Sequence, residues 1–405
     1  MKNKLIYLII ISTVTRIFSI YLFGAKEISN EWGVMVEVME ENQMIGFRKV
    51  EGEIMPTIFM PPLYPVFLFL VKQLFNNLNY YLLIIQFIQL IFSIIGVIYL
   101  IKILSNFFSE KISYIGAYIF ALFPLNVYAI SQISSVTLQI LLMIFYIYYF
   151  INSLKISSKK NIILFSLFSA CLILLRGEFF VFYFFTLFYF FFKKKIHLVI
   201  SSFIITLLLI SPYLIRNYLI FEVITVTKSS GFNLFKGNNP LSRAEGIPML
   251  DDVEKISQET QEKIKKIRPQ DKYDLIIDKL YREEAIRFIL DNPIRYIKLY
   301  LIKFFSFVFI DFTATYPNYY NVFHLLPKII ISISSLIGIF LTFKKKSVLR
   351  FFSLYYLLNG LILSIFFILP RYSLALLPIQ VILTCYFLNL YKLRFFENKL
   401  ICKLI

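Results

Sequence analysis

The sequence predicts an all-α polytopic membrane protein, and three observations support that prediction. Of its 405 residues, 59% are hydrophobic and only 16% are charged, whereas soluble domains carry about a quarter charged residues. Apolar runs long enough to cross about 30 Å of hydrocarbon recur along most of the chain. Lysine and arginine gather at the ends of these runs. The chain is therefore predicted to form one membrane domain over residues 1–405.

About ten transmembrane helices are predicted, separated by tight turns. They cover residues 5–23, 80–104, 112–130, 133–153, 161–175, 178–192, 197–215, 326–343, 348–369 and 372–391. The first run is long and no small-residue cleavage site follows it, so we interpret it as a span and not as a signal peptide.

The net charge of +18 indicates membrane topology and not nucleic-acid binding. Lysine clusters at 159–160, 193–195 and 344–346 follow or precede apolar runs, as cytoplasmic loops do under the positive-inside rule. With both basic termini also inside, the number of crossings is even. Two long polar stretches, 25–78 and 216–296, are then predicted to lie outside as external loops.

Two apolar segments are predicted not to cross. Residues 61–75 open with three prolines, which fit the first turn of a helix because the missing N–H costs little there. A crossing here would place the first two lysine clusters on the wrong side, so the segment is predicted to be an interfacial helix. A crossing by residues 297–313 would likewise place the lysine cluster at 344–346 on the wrong side. We predict a membrane-embedded or in-plane helix there.

The sequence offers no metal or redox motif. Its three cysteines have no metal or redox spacing, and two histidines are too few for a histidine-based metal site. Carboxylates and histidines form no tight cluster, so no metal ligand is predicted.

Glu31 is the candidate base among the carboxylates of the first loop. It falls within about eight residues of the outer end of the first span, where a carboxylate can act on a substrate whose other half is lipid. The alternative is structural. Asn30 as an N-cap, with Glu31 in the first turn, would simply favour the start of a helix.

Cationic candidates lie at the predicted outer ends of three spans. Arg216 and Arg371 each have a tyrosine nearby, Tyr372 in the second case, and a guanidinium there can bind phosphate or extend to lipid headgroups. Arg176 lies in a tight turn with Glu178, and the two side chains either neutralise each other or serve a site. Arg16, midway along the first span, is expected to pair with a carboxylate or to line a wet cavity.

Several motifs occur in an order that resembles a known family. NEWGVMVEVMEENQMIGF is followed by MPPLYP, and later come ISQISSVTL, LLRGE, SPYLIRNYLIF, SSGFNLFKGNNP, AIRFILDNPIRYIKLYLIKF and PRYSLALLP. Nearly end to end, the chain resembles membrane glycosyltransferases of the GT-C superfamily, specifically glycosyltransferase family 39. That family includes protein O-mannosyltransferases and bacterial aminoarabinose transferases. The combination of RNY, GFNL, GNNP and PRY is its most specific part.

The resemblance implies a GT-C-like bundle and a transferase that takes a sugar from a polyprenyl-phosphate donor. The reaction would occur on the extracytoplasmic face of the inner (cytoplasmic) membrane, with inversion at the anomeric carbon. The family's catalytic carboxylate is usually an aspartate in a first-loop acidic pair, and the matching positions here are Asn30 and Glu31. Glu31 then carries the base role, and the missing aspartate at position 30 marks a departure from the pattern.

The leaving phosphate implies cationic partners. Arg216, Arg371 and Arg176 are the candidates, with Tyr372 assisting and Lys236 as a further candidate on the second loop. A divalent cation is the alternative partner for the negative charge that grows on the leaving phosphate. The expected partners are the polyprenyl-phosphate sugar, a lipid, glycan or protein acceptor, and membrane lipids, with no nucleic acid.

Three competing functions remain open at this point. A flippase or transporter would favour internal repeats, and none is seen. A surface-polysaccharide polymerase or ligase would share the lipid-linked substrate but lacks the first-loop acidic motif. A catalytically degenerate member of the family is the third possibility, because Asn30 replaces the aspartate.

Overall fold

The structure is a computed structural model that describes residues 2–28, 30–48, 52–75, 80–246, 257–267, 272–315, 319–343 and 347–401. Within these residues the protein is mostly helical, with one two-stranded antiparallel sheet. This confirms the all-α class. The lysine cluster at 344–346, used to predict topology, lies outside the described residues.

The elements follow one another in this order: α1 Lys2–Phe23, α2 Glu31–Asn42, β1 Gly46–Arg48, β2 Ile54–Pro56, α3 Leu63–Phe75, α4 Tyr81–Leu104, α5 Glu110–Leu122, α6 Pro124–Ala129, α7 Val136–Lys155, α8 Lys159–Leu175, α9 Phe179–Phe192, α10 Ile196–Phe221, α11 Ser230–Gly237, α12 Gln258–Lys265, α13 Tyr273–Asp291, α14 Pro293–Val308, α15 Val322–Thr342, α16 Val348–Leu363, α17 Pro370–Leu374 and α18 Leu377–Ile401. In the sheet, Phe47 pairs with Met55.

Five of the described helices are long and apolar enough to cross a membrane. They are α1 (from Asn3), α4, α7, α10 and α15. Four shorter apolar helices accompany them, namely α3, α9, α16 and the Leu377–Tyr391 part of α18. These helices support a membrane protein, and the arrangement in ten spans stays a prediction.

Two predicted spans are interrupted in the structure. The run 112–130 divides into α5 and α6, because Phe123 is extended before Pro124, as a residue preceding proline prefers to be. The Asn126 side chain donates to the carbonyl of Phe120 at 2.9 Å and so satisfies a terminal acceptor of α5. The run 372–391 likewise divides into α17 and α18. The sequence pattern joined these segments because both halves are apolar.

The sequence predicts that Pro212 breaks the seventh span, 197–215, near its outer end, and this prediction was wrong. Helix α10 continues through Pro212 to Phe221. A proline removes the hydrogen bond to the carbonyl four residues earlier, here that of Leu208. The Ser211 hydroxyl donates to this carbonyl at 2.9 Å and replaces the lost bond. Arg216 therefore lies within α10 and not beyond a helix break.

The triple-proline segment forms α3, a helix of 13 residues and about 20 Å. That is shorter than the hydrocarbon core of a bilayer, and the interfacial placement of this helix stays a prediction. It packs on α2, where the rings of Trp32 and Tyr64 meet edge to face at 4.9 Å. An ion pair between Lys72 and Glu40 closes the other end of the contact at 2.5 Å.

A core of packed aromatic rings holds the helices together. Phe150 on α7 stacks on Phe351 of α16 at 4.8 Å, and Phe165 of α8 lies in the same cluster. Arg16 is fully buried and donates to the Ser93 hydroxyl and to the carbonyls of Ser12 and Ala121. These hydrogen bonds go to neutral oxygens, whereas a carboxylate partner was one of the two alternatives expected from the sequence.

The two long polar stretches pack against each other. Asp274 on α13 accepts hydrogen bonds from the Thr57 hydroxyl and the Ile58 amide. The Thr227 hydroxyl donates to the Phe59 carbonyl at 2.8 Å, and the rings of Phe59 and Phe232 lie 5.3 Å apart. Both stretches therefore lie on one side of the helical body, where the candidate site is found.

Candidate functional site

The turn after α11 is pressed against the segment that leads into α17. A Cβ at Gly237 would lie 1.8 Å from the Phe366 carbonyl oxygen, so only glycine permits this approach. The Asn238 side chain donates to the Ile365 carbonyl at 2.9 Å, and the Ile368 amide donates to the Ala244 carbonyl at 2.8 Å. This seam places the GNNP motif against the segment just before the PRY motif, which lies about 130 residues away in sequence.

Lys236 lies beside the seam and is half-buried. Its ammonium group rests 4.8 Å from the centre of the Phe367 ring. Burial lowers the pKa of Lys236, and the nearby Arg371 guanidinium lowers it further, while Glu31 and Glu245 act in the opposite direction. Lys236 is thus within electrostatic range of one further cation and two carboxylates.

Arg371, the second residue of α17, is exposed beside Lys236. Within the described part of the chain, neither side chain makes a hydrogen bond or a close ion pair. Two neighbouring cations that repel each other and lack a hydrogen-bonded counter-charge form a natural anion site.

Glu31 is the first residue of α2, and its side chain is exposed. Asn30 is the N-cap of this helix, since its side-chain oxygen accepts from the Trp32 amide at 3.1 Å. The amide nitrogen of the same side chain donates to the Ile133 carbonyl at 3.3 Å. Asn30 therefore fixes where α2 begins and ties it to the turn before α7. It positions Glu31 without presenting a reactive group of its own.

Arg176 and Tyr372 lie on the other side of α17. The guanidinium carbon is 6.0 Å from the centre of the Tyr372 ring, and that ring lies 5.8 Å from Phe367, the ring beneath Lys236. Arg176 donates to the Ser135 hydroxyl at 3.4 Å, and its Nε makes no hydrogen bond within the described residues. Arg176 and Glu178, for which mutual neutralisation was one of two alternatives, form no ion pair within the described residues, and both side chains line a cavity with Tyr372.

Arg216 is engaged elsewhere. It donates to the carbonyls of Thr57 and Ile45 at 3.0 and 2.8 Å and to the Asn217 side chain at 2.8 Å. These bonds hold the first polar stretch onto α10. Of the predicted phosphate partners, the structure thus brings Lys236, Arg371, Arg176 and Tyr372 to the same region and assigns Arg216 to the scaffold.

A second cavity, not predicted from the sequence, lies on the α15 side of α17. Its polar lining includes Asp311, Tyr319, His324 and Lys328, all of them buried. Burial, together with the nearby charges of Asp311 and Glu245, raises the pKa of Tyr319 to about 12. The phenol is therefore neutral at physiological pH and keeps its proton for a hydrogen bond.

Glu245 is the other carboxylate that sequence reasoning missed. It is buried, and one of its oxygens accepts from the amide and hydroxyl of Thr315. Its other oxygen has no hydrogen-bond partner among the described residues. A buried carboxylate next to Lys236 keeps negative charge close to the cation pair. The only sequence signal was its place a few residues after the GNNP motif.

The region therefore combines the exposed carboxylate of Glu31 with two cations, Lys236 and Arg371, that have no hydrogen-bonded partner within the described residues. The carboxylate can accept a proton, and the two cations can bind a phosphate and stabilise charge that develops on it. Among the described residues, no group of three or more histidine, cysteine, aspartate or glutamate side chains is arranged to hold a metal ion. Neither a comparison with protein-family models nor a comparison with curated proteins finds a match for this chain.

Proposed function

We propose that this protein transfers a sugar from a polyprenyl-phosphate donor to an acceptor hydroxyl at the membrane surface on the extracytoplasmic side. The observation that supports it most is the seam at Gly237, which places Lys236 against Phe367, just before the helix that carries Arg371. Glu31, from a distant part of the chain, acts electrostatically on Lys236. A carboxylate and two unpaired cations are what this transfer requires. The apolar helices beside them would accommodate the lipid tail of the donor.

In the proposed reaction, the acceptor oxygen attacks the anomeric carbon of the sugar. A new bond forms between that oxygen and the anomeric carbon, and the bond from the anomeric carbon to the phosphate oxygen breaks. Glu31 takes the proton of the acceptor hydroxyl. The electron pair of the broken bond leaves with the polyprenyl phosphate, and the displacement inverts the anomeric centre.

Lys236 and Arg371 act on the leaving group. The donor is a phosphodiester with one negative charge, and the departing monoester gains a second. A cation pair held in place before reaction stabilises the product-like charge more than the initial charge, which lowers the barrier. Arg176 and Tyr372, across α17, are placed to contact the sugar or the phosphate from the opposite side.

The test is sugar transfer by the purified protein in proteoliposomes, with a panel of polyprenyl-phosphate sugars and an envelope extract as acceptor. We expect Glu31→Gln to reduce turnover about 10²- to 10⁴-fold, the usual contribution of a general base. Glu37→Gln is the matched control, because Glu37 is an exposed glutamate on the same helix. Equal turnover in the two variants would remove Glu31 from the mechanism.

A further inference from the structure

The cavity on the α15 side of α17 contains polar groups that the proposed transfer does not use. It is lined by Leu125, Ser306, Phe309, Asp311, Tyr319, His324, Lys328, Ile368, Pro370 and Ser373. The four titratable side chains among them are each more than nine-tenths buried. Polar groups buried to this extent are normally hydrogen-bonded, so each unused donor or acceptor needs an explanation.

Asp311 has one oxygen in use and one free. Its Oδ1 accepts from the amide and hydroxyl of Thr313 at 2.8 and 2.7 Å. Its Oδ2 is buried and makes no hydrogen bond within the described residues. An acceptor left unpaired inside a protein costs about 1–3 kcal/mol. Asp311 is therefore a buried acceptor that a ligand group can satisfy.

Three further side chains leave unused capacity in the same cavity. Lys328 donates to the Phe307 carbonyl at 3.2 Å and to the Ser373 hydroxyl at 2.9 Å, which uses two of its three protons. His324 Nδ1 lies 2.8 Å from the Tyr319 carbonyl, an acceptor only, so Nδ1 carries a proton. In the neutral ring, Nε2 is then an acceptor. The Tyr319 hydroxyl oxygen accepts from the Asp311 amide at 2.7 Å and keeps its own proton. The cavity thus offers two donors and two acceptors.

The size of the cavity selects a single small polar group. The space that a water-sized group can occupy in the cavity is about that of one molecule, too little for a sugar ring or a phosphate. A hydroxyl both donates and accepts, which matches the free groups.

The cavity and the cation pair share helix α17. Pro370 and Ser373, three residues apart and so on one face of α17, belong to the cavity lining, and Arg371 is part of the same five-residue helix. We infer that this cavity binds a single hydroxyl group of a sugar substrate, with Asp311 as the residue that determines specificity; this inference rests on the proposed function.

The consequence is strong rejection of the matching deoxy sugar. A site built to hydrogen-bond one hydroxyl leaves its buried groups unpaired when that hydroxyl is missing, and such sites discriminate by about 10⁴ or more at best. We expect at least about tenfold weaker binding for one deoxy position. The other deoxy positions are expected to bind as the parent sugar does.

The experiment measures binding to the full-length protein in detergent, on a Glu31→Gln background so that no turnover interferes. One arm uses short-chain prenyl-phosphoryl hexoses and their 2-, 3-, 4- and 6-deoxy analogues. The other arm uses alkyl hexosides with the same analogues. Discrimination in the first arm assigns the hydroxyl to the donor, and discrimination in the second assigns it to the acceptor.

Asp311→Asn is the decisive variant. Its side-chain oxygen can still accept from Thr313, while an NH₂ donor replaces the free Oδ2 acceptor. Loss of the deoxy discrimination, with binding of the deoxy analogue retained, supports the inference. Glu245→Gln is the matched control: it also alters a buried carboxylate with one free oxygen, but Glu245 does not line the cavity, so discrimination is expected to persist.

Absence of deoxy discrimination in both arms, or its persistence in Asp311→Asn, overturns the inference. The outcome is separable from that of the proposed function. Glu31-dependent transfer without deoxy discrimination refutes the inference alone. Deoxy discrimination in a protein that transfers no sugar refutes the transferase proposal alone.

Discussion

Replacement of Gly237 by alanine tests the seam that joins the two halves of the candidate site. The added Cβ would lie 1.8 Å from the Phe366 carbonyl oxygen and 2.4 Å from its carbon, and both atoms belong to the backbone. Real Cβ atoms essentially never approach closer than 3.0 Å, so the two segments must separate by about 1.2 Å or more. No side-chain rotation can relieve this contact.

The separation has a cost that can be estimated from the bonds it breaks. The hydrogen bonds from Asn238 to Ile365 and from Ile368 to Ala244, at 2.9 and 2.8 Å, would both stretch beyond a useful length. Each contributes about 0.5–1.5 kcal/mol, and a buried group left unpaired adds to that. We expect a loss of about 2–3 kcal/mol in the free energy of unfolding.

The first assay is thermal unfolding in detergent, where we expect the apparent midpoint of Gly237→Ala to fall by several degrees. Gly96→Ala is the control, since Gly96 lies inside α4 and its added Cβ meets only the tip of the Ile144 side chain at 3.2 Å. An unfolding midpoint of Gly237→Ala equal to that of the wild-type protein would refute the close contact at the seam. The second assay is binding of a prenyl phosphate, which should weaken because Lys236 moves away from Arg371.

The remaining predictions concern the residues placed around that seam. Asn30→Ala should lower the unfolding midpoint through loss of about 1 kcal/mol of capping, whereas Asn30→Asp, which still caps α2, should lose less; equal midpoints would contradict the capping role. Arg216→Gln should destabilise the protein and leave prenyl-phosphate affinity unchanged, whereas Arg371→Gln should do the reverse. Prenyl-phosphate affinity should fall as the pH rises through the pKa of Lys236, which is lowered below the ordinary lysine value of about 10.4. Lys236→Arg should shift that fall in affinity to higher pH. Because the folded state then binds fewer protons than the unfolded state, the Lys236 contribution to stability should rise with pH over the same window.

The helices were the most predictable part of the fold. Apolar length alone located α1, α4, α7, α8 and α9 to within a few residues. The prediction for α10 failed because a side chain overrides a local rule. Pro212 stays inside α10 because Ser211 supplies the missing hydrogen bond.

Elements in the polar stretches were less predictable because their partners are distant in sequence. The β1–β2 hairpin was not predicted, since strands of three residues give almost no periodic signal. The pairing of Gly237 with Phe366 likewise depends on a contact between segments that no local pattern relates. The carboxylates Glu245 and Asp311 were missed because nothing marks them in the sequence except their place near conspicuous motifs.

The predicted cations separate into two classes by how their donors are used. Arg216 donates to three oxygens of the protein and is part of the scaffold, while Lys236 and Arg371 have no hydrogen-bonded acceptor within the described residues. The difference is one of free energy. A cation whose donors are satisfied internally gains little from binding a phosphate, because it must first give up those bonds. Lys236 is partly buried against Phe367, and its repulsion with Arg371 is relieved when an anion binds between them. Sequence position could not separate Arg216 from Arg371, since both lie at the ends of predicted apolar runs. The hydrogen-bond partners separate them, and for this reason the arginine of the PRY motif, and not that of RNY, belongs to the proposed phosphate site.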